Sequence, residues 1–209
     1  MALIKLNNKA VSNATAFGSI SSLGSMTFIK KLTANGSGTL SFVDGASGVV
    51  LDDTYKEYVF TFNNIHPATD GEDFQFNMSI DSGSNYNVTK TSTFFYSYHS
   101  YVIDGLVAVE YEGSFDLAQS TSDQILTNNI GADNDQSAVG TLTLYNPSST
   151  TFVKHFTANI NTFHGTSQTV NSFVGGYGNT TSAIDAVIFR MNSGNIDSGK
   201  IKLYGIKDS

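Results

Sequence analysis

The sequence predicts an all-β protein, an antiparallel β-sandwich that is jelly-roll-like and has about 10–11 strands. The first observation behind this prediction is that apolar and polar side chains alternate with a period of two over many short segments, such as Phe74–Ile80. The second is that Gly, Asn and Asp, which favour turns, separate these segments. With 40% hydrophobic and only 14% charged residues, the chain is apolar enough to form a core.

The predicted strands are the alternating runs, in which a step of two places one set of side chains toward the core and the other toward solvent. In chain order they are Leu3–Leu6, Met26–Thr33, Leu40–Val43, Tyr58–Phe62, Phe74–Ile80, Phe94–Tyr98, Val107–Tyr111, Thr141–Tyr145, Phe152–Ile160, Ile184–Phe189 and Ile201–Ile206. In the run that begins at Phe152, the apolar set includes Phe156 and Ile160, and Lys154 is its odd member.

Three segments between the runs have predictions of their own. Asp81–Asn85 is predicted to be a hairpin loop, because Gly and Asn accept the positive φ of tight turns. The glycine-rich Gly175–Gly178 is predicted to be a tight bend, since it lacks the spacing and the following helix of a phosphate site. Ser120–Ile130 is predicted to be either a short helical turn or a long polar loop.

The chain is predicted to be a single domain over residues 1–209. Its length suits one large domain, and no linker, low-complexity tract or long charge run divides it. A domain of this size can bury enough surface to fold without a disulfide or a metal. The absence of cysteine from the sequence agrees with that expectation.

The charge of the chain argues against nucleic acid as a partner. Lys and Arg number 11 against 18 Asp and Glu, for a net charge of -7, whereas a phosphate backbone is bound by Lys and Arg. No run approaches the roughly 18 apolar residues of a membrane span, and the amino-terminal residues lack a signal-peptide pattern. We therefore expect no nucleic-acid partner, no membrane partner and a soluble product made in a cytoplasm.

No set of residues has the spacing of a catalytic, cofactor or metal site. The four histidines lack metal-ligand spacing. Asp133–Ser137 resembles the start of a calcium loop, but Ala138 and Leu144 occupy ligand positions that an EF-hand fills differently. A nucleophile elbow and a dinucleotide fingerprint are also absent from the sequence. We expect no enzyme, no cofactor and no catalytic or metal residues, although a calcium loop of another type stays open.

The segment Phe94–Tyr101 contains the main candidate for an interaction site. Its alternation places aromatic rings on both faces of one strand, so one set lines the core and the other reaches solvent or a partner. Exposed tyrosine favours interfaces because it combines a large rigid ring with a polar tip. We predict that Phe94, Tyr96, Tyr98 and Tyr101 are interface residues. Two alternatives stay open: both faces are buried between packed sheets, or the same residues bind a glycan.

Several segments of the sequence resemble a family of virion-associated structural proteins of marine tailed bacteriophages, of the cyanophage or pelagiphage kind. These segments are Tyr55–Pro67, Asp81–Tyr86, Asp133–Ser137, Leu144–Ser148, Gly176–Thr181 and Gly194–Ile206. The resemblance extends over roughly residues 50 to 207 and is less distinct before them. It implies a β-sandwich module on a phage particle, and it brings no catalytic residues to this chain.

The resemblance implies a structural protein of a tailed-phage virion, assembled in the host cytoplasm: a head decoration, a fibre, or a tail or baseplate appendage. The protein would contact other virion proteins and copies of itself, as a homotrimer. The resemblance leaves open a copy-specific docking role for residues 1–50. The alternative is a receptor- or carbohydrate-binding module that holds a host surface glycan. A third possibility, a hydrolase of host polymer, needs a carboxylate pair, for which Glu110, Glu112 and Asp123 are candidates.

Overall fold

The computed structural model describes residues 25–207, which form twelve β-strands. No helix occurs in this range, so no helical segment of it is long and apolar enough to span a membrane. The strands are β1 (Met26–Ser37), β2 (Leu40–Val43), β3 (Glu57–Pro67), β4 (Glu72–Ser79), β5 (Lys90–Ser100), β6 (Val107–Tyr111), β7 (Gln124–Ile130), β8 (Ala138–Tyr145), β9 (Lys154–His164), β10 (Gln168–Gly178), β11 (Ala186–Met191) and β12 (Ile196–Ile206). The predicted run Leu3–Leu6 lies outside the described residues.

All strand pairs are antiparallel, and the strands form two layers. The large layer has the order β1-β12-β3-β8-β9-β10-β5-β6, and the small layer has the order β2-β11-β4-β7. One bridge between Ile130 of β7 and His164 of β9 connects the layers, so that the whole sheet is nearly closed and barrel-like. The predicted all-β antiparallel sandwich is confirmed, and the arrangement is compatible with a jelly-roll-like fold.

Aromatic side chains from both layers fill the core. The ring of Phe189 in β11 lies 5.2 Å from the rings of Phe60 and Phe62 in the large layer. Most of its ring contacts are edge-to-face, a geometry that the aromatic quadrupole favours. We use the name inner aromatic cluster for Phe42, Phe60, Phe62, Phe74, Phe76 and Phe189, all of them buried. Phe60, Phe62, Phe74 and Phe76 occupy the apolar positions of the predicted alternation.

Strand β7 has no counterpart among the predicted runs. The helical turn or polar loop predicted for Ser120–Ile130 is wrong, because Gln124–Ile130 is a strand of the small layer. Its buried positions include Thr127, whose hydroxyl lies 2.6 Å from the hydroxyl of Thr162 in β9. Two hydroxyls can hydrogen-bond each other inside a core. A polar segment therefore forms a buried strand here, and its sequence lacks the apolar alternation that would predict a strand.

Strand β10 also lacks a predicted counterpart, and the tight bend predicted at Gly175–Gly178 is wrong. These residues continue β10 in regular register with both neighbouring strands. A Cβ atom on Gly176 would lie 2.7 Å from the ring of Phe156 and 2.7 Å from the carbonyl oxygen of Thr91. Glycine is therefore required here by close packing inside a strand.

The hairpin predicted at Asp81–Asn85 is wrong as a connection, although a tight turn is present. The N–H of Ser84 donates to the carbonyl of Asp81 at 3.2 Å. However, the turn joins β4 of the small layer to β5 of the large layer, and these strands do not pair. The segment is a crossing between layers, which local turn residues cannot distinguish from a hairpin.

The inward position predicted for Phe152 is wrong, whereas Lys154 lies in the inward set to which the alternation assigned it as the odd member. Lys154 takes the first inward position of β9 and is fully buried, whereas Phe152 precedes the strand and is exposed. The Nζ of Lys154 donates to the carbonyl oxygens of Ser149 and Phe152 at 2.5 and 2.7 Å. These hydrogen bonds offset the cost of burying an amine.

The described part of residues 1–50 belongs to the fold. It contributes β1 at one edge of the large layer and β2 at one edge of the small layer. A copy-specific docking role for residues 1–50 stays a prediction.

Candidate interaction surface

The large layer extends beyond the small layer at β5 and β6. The small layer ends at β7, which contacts β9 and β10, whereas β5 and β6 continue the large layer past that edge. The loop after β6 folds back over one end of the region that the small layer leaves uncovered, where the ring of Phe115 lies 5.1 Å from that of Phe94. Within residues 25–207, β6 pairs with β5 alone, and its outer edge is free.

The structure separates the four predicted interface residues. Phe94 is fully buried on the inner face of β5 and belongs to the core. Tyr96 and Tyr98 follow on the same face and are half-buried, and each hydroxyl donates to the carboxylate of Glu110 in β6 at 3.1 Å. Tyr101 lies in the loop between β5 and β6 and is 69% exposed. Of the four, Tyr101 is the residue most open to a partner.

The two tyrosines at Glu110 remain hydrogen-bond donors at neutral pH. Burial, together with the hydrogen bond to Glu110, raises the pKa of Tyr96 to about 12. The hydrogen bond to Glu110 is the main reason that the pKa of Tyr98 is raised. This cluster opens on a cavity of about 240 Å³ that is also lined by Asn128 and His164. Its hydrogen bonds hold the inner face of β6 against β5.

The opposite face of the same strands is apolar and exposed. Phe95 of β5 stacks on Phe173 of β10, with ring centroids 4.9 Å apart and planes 9° apart. On β6, Val109 is 74% exposed and Tyr111 is 66% exposed. We use the name outer aromatic surface for Phe95, Tyr101, Val107, Val109, Tyr111 and Phe173. Exposed apolar patches of this kind mark interaction sites.

A groove lies beside the stacked rings of Phe95 and Phe173. It has a volume of about 390 Å³. Its other lining residues include Gly175, Asn159 and a set of hydroxyl-bearing residues, Thr93, Thr141, Thr143 and Thr157. A Cβ atom added at Gly175 would meet no atom within 4 Å, so the glycine leaves the groove open. Apolar ring faces beside hydroxyl and amide groups are typical of small-ligand sites.

Residues of Asp133–Ser137, the segment for which a calcium loop of another type stays open, meet one of the histidines at a different, polar cavity. It has a volume of about 420 Å³ and is lined by His66, Asp135 and Asp197 among others. The Nδ1 atom of His66 hydrogen-bonds the carbonyl oxygen of Gln136 at 2.8 Å. In the part of the chain that the structure describes, no group of three or more His, Asp or Glu side chains is arranged to hold a metal ion.

The three candidate carboxylates have separate partners. Asp123 lies just before β7, where its Oδ2 accepts from Nε of Arg190 at 2.5 Å. Glu110 accepts from the tyrosines on the inner face of β5. Glu112 accepts from the hydroxyl of Ser114 at 2.6 Å. A hydrolase built on two of these residues stays a prediction.

The sequence pattern indicates β5 but not the residues of the outer aromatic surface that are most exposed on β6. The run Val107–Tyr111 was predicted to turn its apolar set inward, whereas Val109 and Tyr111 face outward and Glu110 faces inward. The alternation by itself does not state which set is covered, so no local signal distinguishes the two orientations. Comparison of the chain with protein-family models, curated proteins and solved structures finds no match.

Proposed function

We propose that this protein is a structural component of a tailed-phage virion, a head decoration, a fibre, or a tail or baseplate appendage, acting through contacts between subunits. The observation that carries this proposal is the outer aromatic surface beside the free edge of β6. The resemblance of the segments named above to phage virion proteins supplies the biological setting.

The free edge of β6 favours association with another chain. An exposed edge strand pairs with a neighbour unless charged side chains, proline or a covering segment protects it. The outward positions of β6 are Val107, Val109 and Tyr111, none of which is charged or proline, and no strand within residues 25–207 covers the edge. The charged residue Glu110 points inward to Tyr96 and Tyr98. A subunit seated on this edge would remove the exposed apolar groups from water, which stabilises the contact.

The partner that we propose for this edge is a second copy of the chain. The surface is at one end of the large layer. A copy docked there by a different patch forms a heterologous contact, which closes into a ring when the rotation between neighbouring copies permits it. A homotrimer is the smallest closed ring of this type. The same surface would also accept another virion protein.

Analytical ultracentrifugation of the purified protein at micromolar concentration tests the self-association. We expect a trimer for the wild type and a monomer for Val109→Asp, because the substitution places a charge in the contact. The matched control is Val139→Asp, which adds the same charge on the outer face of β8 at a position that is 39% exposed. A monomeric wild type, or a trimer in both variants, would contradict the proposed contact.

Single-cysteine variants test the contact in the particle, since the natural chain contains no cysteine. The thiol of Val109→Cys should react with a maleimide in the free chain and be protected in assembled particles. The thiol of Thr150→Cys, at an exposed turn, should react in both. Absence of the chain from purified particles would refute the virion role.

The groove beside Phe95 and Phe173 favours a second candidate function, the binding of a host surface glycan. Gly175→Leu would fill the groove without meeting protein atoms at Cβ. We expect wild type to bind on an array of bacterial surface glycans and Gly175→Leu to lose that binding. Failure of the wild type to bind any glycan on the array would remove this candidate.

A further inference from the structure

A chain of buried polar side chains connects the two layers at the start of β5. Lys90 is the first residue of β5 and is fully buried, and its Nζ lies 2.6 Å from Oδ1 of Asn77 in β4. The Nδ2 of Asn77 donates to Oδ1 of Asp123 at 2.8 Å. Arg190 of β11 donates to the other carboxylate oxygen and so orients it. An amine, an amide and a carboxylate thus lie in one hydrogen-bonded row.

The row brings together the groups that an amide transfer requires. Because a C=O bond is about 1.23 Å long, Cγ of Asn77 lies within about 3.8 Å of Nζ of Lys90. The backbone N–H of Met78 donates to Oδ1 of Asn77 at 2.8 Å, where negative charge develops when an amine adds to the amide carbon. Asp123 lies against Nδ2, the nitrogen that would leave.

Burial prepares Lys90 as a nucleophile. Desolvation lowers the pKa of Lys90 to about 8, and attraction by Asp123 only partly opposes the shift. The neutral amine is the nucleophilic form, and with this pKa about one-tenth of Lys90 is neutral at pH 7. The Nζ of Lys90 also donates to the carbonyl oxygen of Val88 at 2.8 Å. Lys154 differs because the hydrogen-bond partners of its Nζ are all backbone carbonyl oxygens and none is a side-chain amide.

We propose that Lys90 and Asn77 join in an intramolecular isopeptide bond, with Asp123 transferring the proton. The lone pair of Nζ forms the bond to Cγ, and the carbonyl electrons move to Oδ1, which the Met78 N–H stabilises. When the carbonyl re-forms, the bond between Cγ and Nδ2 breaks and its electrons leave with the nitrogen. The proton lost by Nζ passes through the Asp123 carboxyl group to that nitrogen. Ammonia departs, and the reaction requires no oxidant, reductant or cofactor.

The bond would tie the two layers together covalently. It connects β4 of the small layer to β5 of the large layer and closes the loop that contains Asp81–Asn85. A covalent link of this kind restricts the unfolded chain as a disulfide does. The chain has no cysteine with which to form a disulfide.

Mass spectrometry of the purified wild-type protein tests the proposal. We expect an intact mass that is lower than the sequence mass by one ammonia. Trypsin should fail to cleave after Lys90 and should release a peptide covering residues 57–154, because the next lysine or arginine after Lys90 is Lys154. A wild-type protein that has its full mass and is cleaved after Lys90 overturns the proposal.

Variants separate the cross-link from other losses of ammonia. Lys90→Met should have the full mass of its sequence, whereas Asn77→Asp should lose water in place of ammonia. The matched control is Lys154→Met, which removes an equally buried lysine and should still lose ammonia. A succinimide at Asn77 also loses ammonia, but it leaves Lys90 cleavable and persists in Lys90→Met. That result would overturn the proposal.

The pH dependence of the reaction identifies the nucleophile. The other charged groups at the site are Asp123 and Arg190, and the hydrogen bond to Asp123 raises the pKa of Arg190, which stays protonated. For chain recovered unfolded and then folded by dilution, the rate of cross-linking should rise about tenfold from pH 7 to pH 9 and then level off. A cross-link whose rate does not change over this interval would contradict attack by neutral Lys90.

Discussion

The inner aromatic cluster and the outer aromatic surface contain the same kinds of residue at the same strand period but in opposite environments. Phe189 is fully buried and contacts rings from both layers. Phe95 and Phe173 stack on each other and remain 41% and 38% exposed. The small layer packs its rings on the inner faces of β3 and β9, whereas Phe95 and Phe173 lie on the outer face of the large layer, which no second layer of the described residues covers. Coverage by a second layer, and not the local pattern, therefore decides whether an aromatic residue forms core or contact surface.

The largest expected effect on this comparison comes from Phe189→Ala. The substitution removes the ring at the centre of the inner aromatic cluster and leaves a cavity, so the free energy of unfolding should fall by about 3–5 kcal/mol. Urea denaturation followed by circular dichroism measures the change. The matched variant Phe173→Ala should lose about 1 kcal/mol or less, since its ring is already partly hydrated. Equal losses would show that the exposed stacked pair supports the fold as the core does.

A smaller effect is expected at two adjacent glycines on opposite faces of β10. Gly176→Ala places a methyl group against the Phe156 ring and the Thr91 carbonyl oxygen. We expect it to lower the free energy of unfolding by about 1–3 kcal/mol, as overpacked sites do. The methyl group of Gly175→Ala extends into the open groove, so this substitution should change the free energy of unfolding by no more than about 0.5 kcal/mol. Thermal and urea unfolding of the two variants measure this difference, and equal stability would contradict the tight packing at Gly176.

Most strands of the large layer were predictable because their inward positions are apolar. Phe60, Phe156 and Leu203 mark β3, β9 and β12 by simple alternation. Strands β7 and β10 were not predictable in this way, because Thr127 and Ser172 fill inward positions with hydroxyls that are satisfied only by partners far away in sequence. Pairing of distant strands lies outside what local pattern can specify.

The candidate surface was predictable only in part. The density of aromatic residues drew attention to β5, but the choice between Phe94 and Phe95 depends on Phe115, which folds back from the following loop and covers Phe94. The hydrogen-bonded row from Lys90 to Asp123 could not be predicted from the sequence either. Asn77, Lys90 and Asp123 belong to three separate segments, and only the fold brings their side chains together.

The smallest expected effect is at the seam where β7 meets β9, between the covered and uncovered parts of the large layer. Burial lowers the pKa of His164 below its ordinary value of 6.5, and attraction by Asp70 opposes the shift. As the pH falls below about 6.5, the unfolded chain takes up this proton before the folded chain does. The free energy of unfolding should therefore decrease over that interval, until the pH passes the folded pKa.

His164→Asn isolates this contribution, because the amide oxygen can replace Nδ1 as the acceptor for the N–H of Thr166. The difference in unfolding free energy between wild type and variant should be constant from pH 8 to about 6.5 and should shift against the wild type at lower pH. Urea denaturation at each pH measures it, and the remaining histidines cancel in the difference. A difference that stays constant down to pH 5 would show that the imidazole of His164 is hydrated, as the outer aromatic surface is, because only a desolvated imidazole resists protonation in this way.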